Sequence, residues 1–179
     1  MTDHYNAFEI SPVPAPHPGV SAPDLYRGIY GMPMFITVRT RDIDRAEQFW
    51  NRGPGFFTLF SVPGVMVHLR RWAFQDVLLV ADGASQTVDA PAPGVTVSFA
   101  CVLTEIDSIA EHCTAVLPGC AADPEDTPWN TRDLRICAPD GVRIIMTAAK
   151  PLDPDSAEAA TLADIGITAP DQTEGEHDA

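Results

Sequence analysis

Basic residues are scarce in this sequence, and their scarcity argues against nucleic-acid binding. The chain carries 11 Lys and Arg against 25 Asp and Glu, which gives a formal net charge of −14. Residues 151–179 contain eight of the acidic residues and no basic one, so much of the excess lies at one end. Binding to nucleic acid needs a cluster of cations that faces the phosphates. A terminal acidic segment is instead typical of a solvated tail.

Long apolar runs and paired cysteines are also missing. No run reaches the roughly 18 residues that a membrane-spanning helix needs, and the N-terminus lacks the charged-then-apolar pattern of a signal peptide. The four cysteines (Cys101, Cys113, Cys120 and Cys137) include no C-x-x-C pair, which argues against a zinc or redox motif. We expect Cys101 and Cys137, which lie in strand-like runs, to be small core residues. These absences predict a cytoplasmic protein with reduced thiols and no membrane contact.

Familiar catalytic signatures are absent as well. The sequence contains no G-x-S-x-G, no H-E-x-x-H and no glycine-rich phosphate-binding loop. Cys137 and His68 could form a nucleophile and its base, but no pattern places them together. The sequence therefore assigns no catalytic residue, and it leaves open whether the chain is an enzyme.

Proline, glycine and charge divide the chain into five segments. Alternating prolines near the N-terminus favour an extended conformation and exclude a helix there. The predicted segments are a Pro-rich arm at 1–31, a first module at 32–83, a linker at 84–94, a second module at 95–148 and an acidic tail at 149–179. Whether the arm packs on the body, packs on a second subunit or stays loose is left open.

The first module is predicted to be one strand, one helix and three further strands. The helix is indicated by an apolar stripe at helical spacing, formed by Ile43, Ala46, Phe49 and Trp50. Asp42 or Thr40 can cap this helix with a side-chain oxygen, and the Gly53-Pro54 pair ends it. The strands are predicted at 33–40, 56–62, 65–72 and 75–82.

The second module repeats this order of elements. A strand at 95–103 precedes a second helix, for which Thr104 is the predicted cap. An irregular strand around 121–126 then leads to a closing hairpin. The turn of that hairpin is Ala138-Pro139-Asp140-Gly141, in which proline presets φ and the Asp-Gly pair supplies the turn-tolerant positions. Strand alternation places Leu134 and Ile136 on one face of the hairpin.

Two stretches carry a resemblance to a known family. The closing run P-W-x-x-R-D, followed by A-P-D-G and an apolar strand, resembles the closing hairpin of the vicinal-oxygen-chelate superfamily. The run F-I-T-V-R-T-R-D-I-D-R-A-E-Q-F-W resembles that family's opening strand and helix. The resemblance covers about residues 32–148. It implies an α+β fold in which two βαβββ modules curl their sheets around a shared groove, the glyoxalase/bleomycin-resistance fold.

The resemblance also implies where a metal would be held. Metal-using members place four ligands in the groove, one on the first strand and one on the last strand of each module. The matching positions here are Phe35, Ser98, Ile145 and a position near Leu79 that is uncertain by one residue. Phenylalanine and aliphatic side chains cannot coordinate a metal, and a serine hydroxyl is a poor ligand for these ions. We therefore expect no metal site and no cofactor, as in the bleomycin-resistance proteins, which are dimers that sequester a drug.

The candidate ligand-binding residues follow from strand alternation and from the resemblance. His68, Arg70 and Trp72 share one face of the third strand and combine a titratable group, a cation and a stacking surface. The alternatives are that this face only meets solvent, or that His68 only bonds a backbone carbonyl. For Trp129, stacking on a ligand and packing in the core both stay open. The full set of candidates is Phe35, Thr37, His68, Arg70, Trp72, Ser98, Trp129 and Ile145.

Three functions remain open from the sequence. The first is a metal-free protein, expected to be a homodimer, that binds a small organic metabolite or antibiotic in its groove. The second is an enzyme of the same superfamily, a lyase, isomerase or dioxygenase, with a non-standard or absent metal site. The third is a regulatory or scaffold protein that uses its arm and tail to reach a partner.

Overall fold

The computed structural model of the chain describes residues 11–28, 30, 32, 34–82 and 96–164. The predicted linker at 84–94 and the end of the acidic tail lie outside these residues. The strands are β1 (Ile36–Thr40), β2 (Phe57–Val62), β3 (Met66–Arg70), β4 (Asp76–Ala81), β5 (Thr96–Cys101), β6 (Glu125–Asp126), β7 (Thr131–Cys137) and β8 (Arg143–Ala149). The helices are α1 (Ile43–Arg52), α2 (Leu103–Val116) and α3 (Ala157–Asp164).

The strands form two four-stranded mixed sheets with the same topology. The first sheet has the order β1-β4-β3-β2 and the second has the order β5-β8-β7-β6. The first strand of each sheet runs parallel to the last strand of its module, and the other pairs are antiparallel. Each module is therefore a βαβββ unit, as the sequence predicts. No helix in the described ranges is long and apolar enough to cross a membrane.

Helix α1 begins where the sequence predicts. The side chain of Asp42 accepts a hydrogen bond from the backbone N–H of Arg45 at 3.0 Å, which satisfies one free donor of the first turn. Thr40 supports the cap, because its Oγ1 accepts from the N–H of Asp42 at 3.3 Å. The helix ends at Arg52, and the N–H of Gly53 donates to the carbonyl of Phe49 at 2.8 Å.

The predicted cap of α2 is wrong. The helix begins at Leu103, so Thr104 lies inside the first turn, and the capping residue is Val102, which has no side-chain oxygen. The Thr104 hydroxyl instead donates to the carbonyl of Val20 at 2.8 Å. A contact 84 residues away in the chain has therefore replaced the local one that the sequence pattern favours.

Both helices pack on the same core. Buried residues of α1, α2 and the two sheets form one apolar cluster that spans both modules. At its centre the ring of Phe56 meets Trp50 and Phe99 edge-on, with 5.2 Å between ring centroids in each pair. Such pairs contribute about 0.5–1.5 kcal/mol each beyond the apolar area that they bury. The modules are therefore joined through their helix-covered sides.

The closing hairpin forms as predicted. Its turn is closed by a hydrogen bond from Gly141 N to Ala138 O at 2.9 Å, and Gly141 has φ of +84°, which suits glycine. Leu134 and Ile136 are buried, in agreement with strand alternation. Cys137 is exposed, so its assignment to the core is wrong, because it shares the outer face of β7 with the exposed Arg135.

The N-terminal segment, residues 11–28, packs against both modules. Val20 is 4% exposed and forms a second apolar cluster with Trp72 of the first module and Val102 of the second. The N–H of Tyr26 donates to the carbonyl of Arg71 at 3.0 Å. At the other end of the chain, the Ser156 hydroxyl caps α3 by accepting from the N–H of Ala159 at 3.1 Å. The described part of the Pro-rich arm thus belongs to the folded body.

Candidate functional site

Each sheet has one face covered by helices and an opposite face, which we call its open face. On the first sheet, Val38, Val67 and Leu69 point into the core beneath α1. The strand register places four other residues in one row on the open face, namely Thr37, Leu78, His68 and Phe60. Of the predicted site residues, this row contains Thr37 and His68.

His68 is held by a buried carboxylate. Its Nε2 lies 2.7 Å from Oδ1 of Asp76, and Nε of Arg70 donates to the same oxygen at 2.7 Å. The Asp76 side chain is 0% exposed and that of Arg70 is 2% exposed, whereas the His68 side chain keeps 13% of its surface exposed. The imidazole is therefore held in place by Asp76, while part of its surface stays exposed to solvent.

Tyr30 and Gly28, the last residue of the N-terminal segment, provide further contacts to Asp76 and Arg70. The hydroxyl of Tyr30 donates to the second oxygen of Asp76 at 2.5 Å, and Nη1 of Arg70 donates to the carbonyl of Gly28 at 2.6 Å. The Arg70 guanidinium also lies 4.1 Å from the centroid of the Tyr30 ring. Burial and the bond to Asp76 raise the pKa of Tyr30, so the phenol stays a donor. We call His68, Asp76, Arg70 and Tyr30 the His68 cluster.

The cluster determines what His68 can offer. A carboxylate paired with arginine accepts hydrogen bonds, so the proton between His68 and Asp76 belongs to Nε2. The other ring nitrogen, Nδ1, has no hydrogen bond to any of the residues that the structure describes. In the neutral ring Nδ1 is then an acceptor, available to a ligand on the open face.

Two predicted members of this face are covered by protein. Arg70 is only 1% exposed, because the segment that carries Gly28 and Tyr30 lies over it. Trp72 is 2% exposed and lies beyond the strand, which ends at Arg70. A tight turn causes the difference, since Gln75 N donates to the carbonyl of Trp72 at 3.2 Å and ends the strand alternation. Trp72 packs in the core cluster of Val20 instead.

Phe35, Thr37 and an aromatic residue missed in the sequence complete the first open face. Phe35 is 44% exposed just before β1, and Thr37 is exposed on that strand. Phe60 is 56% exposed and lies directly across from His68. The register shifts between Thr58 and Phe60, and this bulge interrupts the alternation that would otherwise identify Phe60 as a neighbour of His68. In the sequence, the apolar run at 56–62 is the signal that could have identified Phe60 as a site residue.

The remaining predicted strand residues lie on the open face of the second sheet. Ser98, Ile145 and Arg135 form one row there by register. Ile145 also lines a cleft of about 520 Å³, which Arg135, Arg143 and Cys137 share. The volume lies within the range of about 300–1,000 Å³ that is usual for ligand pockets. Residues of both modules thus contribute open surface, each on its own sheet.

Trp129 occupies a different position from either sheet face. It lies in the turn before β7 and is 68% exposed, so packing in the core is wrong for this residue. The turn is held by its polar neighbours, since the N–H of Trp129 donates to the hydroxyl of Thr127 at 3.3 Å. Nearby, Arg132 donates to Asp107 at 3.1 Å.

The residues at the family's metal positions do not fit a metal. No group of three or more His, Cys, Asp or Glu side chains in the described ranges is arranged to hold an ion. The uncertain position in the first module is now resolved, because Leu79 is buried under α1 while Leu78 faces the open side opposite Thr37. Neither leucine can coordinate a metal. His68 and its neighbours supply the polar groups described on this face.

Comparisons with known proteins bear on the fold. No family model and no curated protein matches the chain. Among solved structures, a glyoxalase/bleomycin resistance protein/dioxygenase family enzyme from Burkholderia phytofirmans is 16% identical with a TM-score of 0.54, over 64% of this chain and 96% of that chain. The fosfomycin resistance protein FosX from Mesorhizobium loti is 11% identical with a TM-score of 0.52, over 69% and 95%. A hypothetical protein from S. aureus is 16% identical with a TM-score of 0.54, over 69% and 97%.

These similarities show the fold. The predicted α+β architecture of two βαβββ modules is confirmed, and so is the resemblance to the fold of the vicinal-oxygen-chelate superfamily. At such low sequence identity the neighbours carry no activity over to this chain. The function has to be argued from the site itself.

Proposed function

We propose that this chain, built on the glyoxalase/bleomycin-resistance fold, binds a small organic molecule on its first open face without a metal ion. The observation that carries the proposal is the His68 cluster, which fixes an imidazole on an open sheet face. Burying a carboxylate and a guanidinium is unfavourable unless each is fully paired. A fold that needed only apolar packing at this position would gain more from aliphatic side chains, so the cluster supports a binding role.

The neighbours of His68 suggest the class of ligand. Phe60 and Phe35 expose aromatic surface on the same face, which favours a flat, partly apolar molecule. Nδ1 of His68 offers an acceptor, which favours a ligand that donates a hydrogen bond. A small aromatic compound that carries a hydroxyl group satisfies both conditions. Metabolites and antibiotics of this kind are within the class that the sequence predicts.

The test is a thermal-shift screen of the full chain against small phenols in a buffer that contains a chelator. A compound that binds only the folded state raises the melting temperature. At one hundred times its Kd, such a compound increases the free energy of unfolding by about 2.7 kcal/mol. For any compound found, His68→Gln should weaken binding about tenfold, because glutamine keeps a donor for Asp76 but lacks the ring Nδ1.

A matched control exists on the same chain. His112 is exposed on α2, on the side of the molecule that carries the helices. His112→Gln should therefore bind the compound as tightly as the wild type does. If His68→Gln binds with unchanged affinity, the ligand does not contact the imidazole and the proposal is wrong.

A second candidate function is an enzyme on the same fold. The His68–Asp76 pair favours it, because an imidazole oriented by a carboxylate is a common general base. A lyase or isomerase that removes a proton from its substrate would use such a base. Conversion of the bound compound, detected by mass spectrometry and lost in His68→Gln, would support the enzyme. An unchanged compound after long incubation would support binding alone.

The remaining expectations stay proposals. A homodimer is compatible with the exposed apolar side chains of Phe60 and Val62 on β2, which is an edge strand. A cytoplasmic location is compatible with the free thiols of the described residues. The predicted groove also implies that residues of both open faces contact one ligand, and this stays a proposal.

A further inference from the structure

Cys120 and Cys137 lie directly opposite each other on two antiparallel stretches of backbone. The N–H of Cys137 donates to the carbonyl of Cys120 at 2.8 Å, and two residues further on the N–H of Ala122 donates to the carbonyl of Arg135 at 3.1 Å. This alternation of donors and acceptors is that of an antiparallel ladder. The pairing brings together the chain that follows α2 and the end of β7.

The separation that this pairing implies suits a disulfide bond. Opposite residues in an antiparallel pair have Cα atoms about 4.5–5.5 Å apart. Disulfides join cysteines whose Cα atoms are about 4.4–6.8 Å apart. Both cysteines also line the 520 Å³ cleft of the second open face. To form the bond, the Cys120 side chain has to turn towards Cys137 from the carbonyl of Cys113, which its Sγ contacts at 3.4 Å.

The two thiols differ in access to solvent. Cys137 is exposed, whereas Cys120 is 8% exposed and its Sγ donates to the carbonyl of Cys113 at 3.4 Å. Burial raises the pKa of the Cys120 thiol. An oxidant from solvent therefore meets Cys137 first. Cys113 is 0% exposed, and burial raises its pKa to about 12, so it is the least reactive thiol of the three.

We propose that Cys120 and Cys137 are a redox modification site, at which a peroxide converts the two thiols into a reversible disulfide. The Cys137 thiolate attacks one oxygen of hydrogen peroxide, the O–O bond breaks, and a sulfenic acid forms while the other oxygen leaves as water after taking up a proton. The sulfur of Cys120 then attacks the sulfur of Cys137. An S–S bond forms, and the sulfenic hydroxyl leaves as water with the proton of the Cys120 thiol. Two thiols lose two electrons in total, and the peroxide is reduced to two molecules of water.

The disulfide would act on the second open face. It would tie the loop after α2 to the end of β7, along one wall of the cleft that Arg135 and Arg143 also line. A thiol-disulfide reductant would reverse it by exchange. The site lies on the second module and does not involve His68. A test of the disulfide is therefore independent of a test of the proposed ligand site.

The experiment treats the reduced full chain with hydrogen peroxide and then removes the excess. The expected result is the loss of two of the four thiols on titration in denaturant, a mass lower by about 2 Da, and a proteolytic fragment in which Cys120 and Cys137 are linked. Dithiothreitol should restore all four thiols. Cys137→Ser and Cys120→Ser should each abolish the linkage, whereas Cys101→Ser should retain it.

Cys120→Ser provides a second, independent readout. Without its partner, oxidised Cys137 should stop at the sulfenic acid, which a cyclic dione traps as a stable adduct. Cys120→Ala serves the same purpose if the serine variant folds poorly, and mapping of the wild-type chain needs no variant. A linkage between Cys113 and Cys120, a dimer linked through Cys137, or oxidation of Cys137 without any linkage would each overturn the proposal.

Discussion

The two tryptophans Trp72 and Trp129 illustrate how position in the fold decides the role of a residue. Both flank strands and both are candidates for stacking on a ligand. Trp72 is 2% exposed between Val20 and Val102, whereas Trp129 is 68% exposed in a turn. A buried indole contributes to stability through the apolar area that it removes from water. An exposed one contributes little, so only Trp129 remains free to contact a ligand.

The pair supports a prediction about stability. Trp72→Ala should lower the free energy of unfolding by about 3–5 kcal/mol, because it removes a large buried side chain and leaves a cavity. Trp129→Ala should change it by less than about 0.5 kcal/mol. Urea unfolding followed by circular dichroism measures both. Similar values for the two variants would mean that Trp72 is not packed as described.

At the scale of single elements, the N-terminal segment has a structural role that its composition does not suggest. Its alternating prolines exclude a helix, yet residues 11–28 supply Val20 to a core cluster and the Gly28 carbonyl to a buried arginine. Removing the segment would leave the Arg70 guanidinium without one of its partners and would expose Trp72. The segment therefore stabilises the first open face and the His68 cluster, rather than serving as a free arm.

This role predicts different outcomes for two changes in the same segment. Val20→Asp should destabilise the chain by about 3 kcal/mol or more, because it places a carboxylate among apolar side chains. Leu25 is 39% exposed, so Leu25→Asp should have an effect of less than about 0.5 kcal/mol. Thermal unfolding, together with limited proteolysis of the N-terminal segment, measures the difference.

Equal stability of the two variants would contradict this interpretation. It would mean that Val20 leaves the cluster without affecting the rest of the chain. The scaffold hypothesis, which needs an arm free to reach a partner, would then regain support.

At the scale of the whole molecule, the two modules are joined by a buried arginine as well as by their common core. Arg71 follows β3 of the first module and donates to the carbonyl of Ala100 at 2.8 Å and to Glu105 at 2.6 Å, both in the second. Burial lowers the pKa of Arg71, and Glu105 partly offsets this effect. With the Phe56–Phe99 contact, these bonds should make the modules unfold together.

A comparison of substitutions at two arginines tests whether Arg71 couples the two modules. Arg71→Met should lower the free energy of unfolding by about 3 kcal/mol, since it breaks a buried pair, although Glu105 is 31% exposed and can regain water. Arg135→Met breaks an exposed pair with Glu125 and should lower it by less than about 1 kcal/mol. Chemical unfolding followed by both fluorescence and circular dichroism measures these values.

The same experiment reports on cooperativity. In the wild type the two signals should coincide in one transition, because one core spans both modules. Two separate transitions in the wild type, or equal effects of the two substitutions, would show that the modules are not coupled through Arg71.

Local signals were enough to predict much of the fold. The Asp42 cap, the apolar stripe of α1 and the turn at Gly141 depend on residues within a few positions of each other, so the chain reveals them in order. Strand alternation places His68 on one face of its strand, and the family resemblance adds Thr37 and Ile145; the strand register puts His68 and Thr37 in one row and Ile145 on the other sheet. Prediction from strand alternation fails where the regular alternation ends, at the bulge before Phe60 and at the turn that begins with Trp72.

The sequence by itself determined the order of the elements and the two βαβββ modules, because both depend on residue type and short spacing. Tertiary structure alone decided that Arg70 is covered, that Asp76 holds His68 and that Thr104 bonds to the N-terminal segment. It also decided that Cys120 faces Cys137. The partners in these contacts are between 8 and 84 residues apart in the chain. No local pattern encodes such pairs, because they form only when the whole fold brings distant backbone into register.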